Sequence, residues 1–156
     1  MLSQAIKNII KIRAEEFKID PALVTAFIMV ESSGNPRATR YEPNFYKRYI
    51  LPLNLAPPEG TKRATSWGLM QIMGQVAREK GFKDDFEELF DPATNLFWSL
   101  KHLKGFIKRY EPSLDDAIAA YNAGSPRKDN AGNYVNQTYI EKIHKQLQTI
   151  KGGQSA

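Results

Sequence analysis

A carboxylic acid at Glu31 ends a nearly all-apolar stretch: Leu23, Val24, Ala26, Phe27, Ile28, Met29 and Val30 lead into it, and Ser32, Ser33, Gly34, Asn35 and Pro36 follow. Apolar neighbours disfavour the ionised form, so a part-buried Glu at this position holds its proton above the reference pKa of about 4.3. A carboxyl in that state can serve as a general acid. The competing expectation is a helix-end carboxylate turned back to water. At 3.6 residues per turn Glu31 shares a helix face with Val24, Phe27 and Ile28, which brings its carboxyl out beside packed side chains.

Other polar groups interrupt apolar runs. Gln71 is a single amide within Trp67, Gly68, Leu69, Met70, Gln71, Ile72 and Met73. Its side chain needs hydrogen-bond partners, either backbone groups or a bound ligand. Met70 beside it reads as core. Tyr121 and Asn122 close an apolar helix that stops at Gly124, where Asn is an ordinary helix-end residue and Tyr brings a hydroxyl.

Composition limits the alternatives. A chain of 156 residues is one domain's worth, and 42% apolar with 25% charged residues fits a folded globular protein. The expectation is a single domain over 1–156, and a monomer. No apolar run approaches the roughly 18 to 20 residues that cross a bilayer. With no Cys there is no disulfide framework and no thiolate nucleophile. His102 and His144 are the only imidazoles, expected as surface or cap residues, so neither a metal site nor a cofactor is expected. The net charge of +5 favours an anionic partner without choosing one. No basic helix face interleaved with aromatics supports nucleic-acid binding. The N-terminus lacks the continuous apolar centre of a secretory signal, so synthesis in a cytoplasm without a signal peptide is expected.

The elements that must position these groups are helical. Leu2, Ile6, Ile9, Ile10 and Phe17 recur at helical spacing and predict an amphipathic first helix. Asp20 and Pro21 give the start signal of a second, which carries Glu31 on its last turn. From Asn35 to Ser66 the pattern dissolves into a Pro-rich excursion containing Tyr41, Phe45, Tyr46 and Tyr49, with one short helix expected over 43–50. A helix is expected over 74–80, ending at Gly81. Asp91 and Pro92 start another, with Leu96, Leu100, Leu103 and Ile107 on its face. Ser113 and Asp116 form a capping pattern ahead of Ala117 to Tyr121. A final helix carries Ile140, Ile143, Leu147 and Ile150, and Gly152 to Ala156 are expected to fray. The expectation is an all-α domain of six or seven helices with at most a small extended or hairpin element near 67–73.

Three ordered motifs carry a resemblance. Glu31 to Pro36, then Gly68 to Met73, then Ala120, Tyr121, Asn122, Ala123 and Gly124 resemble those of the soluble lytic transglycosylases, grouped with goose-type lysozymes in glycoside hydrolase family 23. Asp91, Pro92, Asn95 and Leu103 fall where that family has its D-P-x-x-N helix. The resemblance covers about residues 10 to 124.

The resemblance implies a lysozyme-like helical fold whose cleft holds a peptidoglycan glycan strand, with Glu31 as catalytic acid and base. It implies cleavage of the β-1,4 bond between N-acetylmuramic acid and N-acetylglucosamine, with closure to a 1,6-anhydro end. It places Gln71 against sugar, Met70 on the cleft, and the Tyr121 hydroxyl beside the catalytic carboxyl. Asn122 is divided between helix end and cleft, Ser32 is expected as a structural hydroxyl near the substrate, and Tyr139 as core or cleft. The setting would be the bacterial wall, for a phage lysis or virion protein or a trimmed bacterial enzyme.

A hydrolytic muramidase would instead need a second carboxylate, about 6.5 to 9.5 Å away for inversion or about 5 to 5.5 Å for conventional retention. Asp91 and Asp116 have cap roles and Asp115 is expected to face solvent, which leaves Glu42 as the rival. A catalytically idle wall-binding module is the third possibility. The chain also departs from the family. The interval from Glu31 to Gln71 is 40 residues, lengthened by the excursion, and Arg40 stands where compact members place a Ser. Thr65 and Ser66 are the candidate replacements for that hydroxyl. Val135 and Asn136 replace the acid and Thr of the family's closing motif ahead of Tyr139.

Overall fold

A computed structural model describes residues 1–155. The first helix, α1 (Gln4–Phe17), starts at Ser3, whose hydroxyl accepts the Ile6 N–H. Asp20 caps α2 (Pro21–Ser32) by accepting the Ala22 N–H, and Pro21 occupies the first helical position, where no backbone donor is needed. Leu23, Val24, Ala26, Phe27 and Ile28 are all buried, so α2 is the central helix of the main core. Burying a side chain such as Val, Ile or Phe stabilises the fold by about 1.5–3 kcal/mol. Glu31 therefore projects from a rigidly held element. Ser33, at φ 52°, turns the chain out of the helix.

Three further helices complete that core. The helix α6 (Pro92–Tyr110) is capped by Asp91, which accepts the Thr94 N–H and hydroxyl. Ser113 caps α7 (Leu114–Ala123), and α8 is Gln137–Ser155. The last of these packs on α2, while α6 packs on both α1 and α7.

The excursion is folded throughout. Strand β1 (Thr39–Tyr41) leads into α3 (Pro43–Phe45), a π-helical turn (Tyr46–Ile50) and a 3-10 turn (Leu51–Leu53), then α4 (Glu59–Arg63). Strands β2 (Thr65–Trp67) and β3 (Ile72–Met73) follow, then α5 (Gly74–Lys80) and a 3-10 turn over Phe86–Phe90. The sheet is antiparallel in the order β1-β2-β3, with Arg40 opposite Ser66 and Ser66 opposite Met73. Its second core contains Trp67, Ile72, Ala77, Phe82, Phe86 and Leu89. Glu59 ties α4 to α5 by accepting from Arg63 at 2.7 Å and Arg78 at 3.0 Å, and the Arg78 guanidinium lies 3.8 Å from the Phe86 ring centre. The Glu59 carboxyl is held below its ordinary pKa chiefly by the Arg78 hydrogen bond.

The all-α expectation holds, with three corrections of detail. Eight α-helices are present among the described residues, because α4 forms within the excursion in addition to the short helix expected over 43–50, and β1 adds a strand to the expected extended element. Helical structure continues through Gly152 and Gly153 to Ser155, rather than fraying from Gly152, since Ile150 packs on the core and Lys151 pairs with Asp20 at 3.6 Å. Ala156 lies outside the described residues. Asp115 does not simply face solvent, since its Oδ1 lies 2.6 Å from His144 Nε2 on α8.

Candidate active site

Glu31 sits on the wall of a cleft of about 740 Å³. Burial raises its pKa from 4.5 to about 7, partly offset by the Tyr139 hydrogen bond and the Arg40 charge, which both lower it. The Tyr139 hydroxyl donates to Glu31 Oε2 at 2.6 Å. With Oε2 accepting from Tyr139, Oε1 is the oxygen left free to hold the proton of the neutral acid. The same arrangement pushes the Tyr139 phenol well above its ordinary range, through burial first and then the Glu31 charge. Phe27, one helical turn before Glu31, packs on both cleft tyrosines: its ring centre lies 4.9 Å from that of Tyr121 and 6.5 Å from that of Tyr139.

The turn between β2 and β3 brings Gln71 to the same cleft, and Asn95 holds that turn. The buried Asn95 amide donates to Trp67 O at 2.8 Å and Leu89 O at 3.0 Å, while its oxygen accepts the Met70 N–H at 3.1 Å and the Ser99 hydroxyl at 3.2 Å. Gly68 passes against it at φ +71°, where a Cβ would lie 2.4 Å from Asn95 Nδ2 and 2.6 Å from Leu89 O. Only glycine fits both the conformation and the space. Gln71, itself at φ 51°, donates both amide hydrogens to backbone, to Gly68 O at 2.9 Å and Ala38 O at 3.0 Å. Gln71 thus fixes the turn and keeps its Oε1 as the acceptor available on the cleft wall.

Met70 and Tyr121 differ from what the resemblance implies, whereas Ser32 is the structural hydroxyl expected but stands off the cleft. Met70 is fully buried in the main core and does not line the cleft, because the Asn95-clamped turn directs its side chain inward. The Tyr121 hydroxyl donates to Met70 O at 2.8 Å, not to Glu31; it is Tyr139 that bonds the carboxyl. Tyr121 still lines the cleft, and its phenol is raised well above the ordinary range by burial and then by the Glu31 charge. Ser32 does not line the cleft. Its hydroxyl lies 2.8 Å from Leu69 O and 3.1 Å from Ile28 O and accepts the Gly34 N–H, pinning the end of α2 to the β2–β3 turn.

The cleft-facing side of the sheet contributes Arg40, Ser66 and Met73, cross-strand neighbours in register. Thr65 points the other way and donates to Thr61 O at 2.8 Å, so of the two candidate hydroxyls Ser66 faces the cleft. Glu42 lines the cleft too, with its Oε1 3.1 Å from Arg40 Nε. The opposite wall carries Asn122, whose Oδ1 accepts from Asn136 Nδ2 at 2.9 Å.

His102 and Asn136 are among the lining residues missed as site residues. His102 was expected at the surface, yet α6 carries it into the cleft, where burial and then Lys80 lower its pKa to about 4 and keep it neutral. Asn136 Oδ1 and His102 Nδ1 are the buried side-chain polar atoms among the described residues without a hydrogen-bond partner. Buried polar atoms are ordinarily satisfied, and these two, both on cleft-lining residues, are exceptions. The signals were spacing: His102 is seven residues past Asn95 and three past Ser99 on one helix face, and Asn136 is three before Tyr139. Among the described residues no group of three or more His, Asp or Glu side chains could hold a metal ion.

Comparison with known proteins identifies the family. The family described as Transglycosylase SLT domain matches residues 8–144. A transglycosylase of Enterobacteria phage PRD1 is 26% identical over 139 residues, covering 88% of this chain and 41% of that protein. The membrane-bound lytic murein transglycosylase C of Haemophilus influenzae strain PittGG is 25% identical over 164 aligned positions, covering 91% of this chain and 40% of that protein. The chain thus spans about two fifths of the length of these relatives. No solved structure matches it. With the family match extending from α1 into α8 and enclosing every residue of the Glu31 site, the chain belongs to the Transglycosylase SLT domain family.

Proposed function

We propose that residues 1–156 act as one catalytic domain, a peptidoglycan lytic transglycosylase that cleaves the β-1,4 bond between N-acetylmuramic acid and N-acetylglucosamine. The observation that carries this reading is a buried Glu31, its pKa raised to about 7 and its carboxyl hydrogen-bonded by Tyr139, on the wall of a cleft of about 740 Å³. Glu31 Oε1 gives its proton to the bridging oxygen, and the N-acetylglucosamine 4-hydroxyl departs. Positive charge at the muramic anomeric carbon is met by the sugar's own N-acetyl oxygen. The new Glu31 carboxylate, stabilised by the Tyr139 O–H and the Arg40 charge, removes the proton of the muramic 6-hydroxyl. That oxygen closes onto the anomeric carbon, leaving a 1,6-anhydro ring and a reprotonated Glu31, with no water consumed.

Glu42, the other carboxylate on the cleft wall among the described residues, is paired with Arg40 at 3.1 Å, and this reading gives it no catalytic part. The Gln71 Oε1 is an acceptor suited to sugar hydroxyl and N-acetyl N–H groups. Action is on the bacterial wall, and the named relatives, a phage protein and a murein transglycosylase, support that setting. No helix among the described residues is long and apolar enough to cross a membrane. The test is muropeptide release from purified peptidoglycan by Glu31→Gln. A drop of about a thousandfold in rate, with the fold retained, is expected for loss of a general acid; undiminished release overturns the assignment.

A further inference from the structure

The cleft does not end at the sheet. Beyond it lies a second depression of about 380 Å³, lined by Phe45, Tyr49, Leu53, Gln75, Val76 and Glu79. Phe45 and Val76 also line the main cleft, so the two are continuous. One wall comes from the helical stretch of the excursion, where Phe45, Tyr49 and Leu53 follow at four-residue intervals and share a face. The Phe45 and Tyr49 ring centres are 4.9 Å apart, and Tyr49 and Leu53 are 51% and 48% exposed. Such exposure of large apolar side chains in a groove marks a binding surface. The other wall is polar: on α5, Gln75 Nε2 donates to Glu79 Oε1 at 3.0 Å.

An apolar wall facing an amide and a carboxylate matches the two kinds of surface of a pyranose. Its C–H face packs on aromatic and aliphatic side chains while its hydroxyls bond to polar edges. The Glu79 carboxylate disfavours an anionic lipid surface as the occupant. We infer that the Phe45–Tyr49–Leu53 groove binds a further sugar of the glycan strand running through the main cleft, so that the excursion makes the enzyme selective for longer strands. This rests on the transglycosylase reading for the identity of the strand.

The test compares peptide-free octasaccharide and tetrasaccharide strands of alternating N-acetylglucosamine and N-acetylmuramic acid. The wild-type protein is expected to favour the octasaccharide in kcat/KM. The double variant Tyr49→Ala, Leu53→Ala should compress that preference by about tenfold, the loss expected for an aromatic contact and its neighbour. Tyr49→Phe, which keeps the ring, should retain the preference, as should Ile12→Ala, an exposed apolar position on α1 outside both depressions. A double variant with the wild-type ratio overturns the inference and leaves the Glu31 assignment standing. If the wild type cleaves neither strand, octasaccharide affinity in a Glu31→Gln background decides: a loss of about tenfold on adding the double change upholds the groove, and equal or absent binding overturns it. A double variant that loses self-association or retention on phosphatidylglycerol vesicles while its glycan preference stays intact also overturns the inference.

Discussion

The Tyr139 hydroxyl and the Glu31 carboxyl, 108 positions apart, meet in a 2.6 Å hydrogen bond that joins α8 to the last turn of α2. This contact fixes the orientation of the Glu31 carboxyl and leaves Oε1 as the oxygen without a hydroxyl donor. It also stabilises the carboxylate once the proton has left. Tyr139→Phe should keep the ring packing against Phe27 and lower kcat by about tenfold to a hundredfold, the range for a hydrogen bond to a charged group. Steady-state kinetics on defined strands check this. A kcat unchanged from wild type removes Tyr139 from the mechanism.

The pH profile follows from the burial of Glu31. Activity that needs the protonated acid should fall as pH rises through about 7, the value to which burial lifts this group. Because the Tyr139 hydrogen bond and the Arg40 charge both pull that value down, Tyr139→Phe and Arg40→Ala should each move the falling limb to higher pH. Raised salt should shrink the Arg40 shift, since its side chain is 76% exposed and its field is screened. A falling limb that stays in place in both variants contradicts the assignment of the limb to Glu31.

Glu31 should also cost the fold stability. Its pKa is about 7 folded against 4.5 unfolded, so the unfolded chain releases its proton first as pH rises. Stability is lost progressively between about pH 4.5 and 7, up to about 3 kcal/mol once both states are ionised. Glu31→Gln, which does not ionise, should therefore be more stable than wild type at pH 8 and gain little at pH 4. Denaturant titrations at the two pH values measure the difference. An equal effect at both would place the carboxyl in water.

The Asn95 clamp should matter both to the fold and to the site. Asn95→Ala leaves buried Trp67 and Leu89 carbonyls and the Met70 N–H unpartnered, at a cost of about 3 kcal/mol or more. Gly68→Ala should cost a comparable amount, about 2–4 kcal/mol, from a strained φ and the collision with Asn95. Chemical denaturation gives both values. Wild-type stability in either variant would mean that the turn is not held as described.

Much of this was legible in the chain. The caps at Asp20, Asp91 and Ser113 mark helix starts because each supplies an oxygen to an orphan backbone N–H within its own turn. The burial of Glu31 followed from its shared face with Val24, Phe27 and Ile28, a local property of one helix. Its partner was not local. Tyr121 and Tyr139 both approach from distant helices, and which hydroxyl reaches the carboxyl depends on how α7 and α8 pack on α2, which no periodicity encodes. Met70 and Gln71 are adjacent, yet one is core and one lines the cleft, because the Gly68 turn and Asn95 fix their directions through long-range bonds. The excursion hid β1 and α4, whose few residues lack a full period and take their form from pairing with β2 and from the Glu59–Arg78 contact. His102 looked like a surface residue because a lone polar residue on an amphipathic helix ordinarily is one.

The mass of the sugar ends released from purified peptidoglycan by the wild-type protein tests most directly whether Glu31 acts alone as acid and then base. Muropeptides lighter by one water than the hydrolytic products, carrying 1,6-anhydromuramic ends, are the predicted result. Reducing muramic ends of full hydrolytic mass would contradict it and turn attention to Glu42 as the second carboxylate.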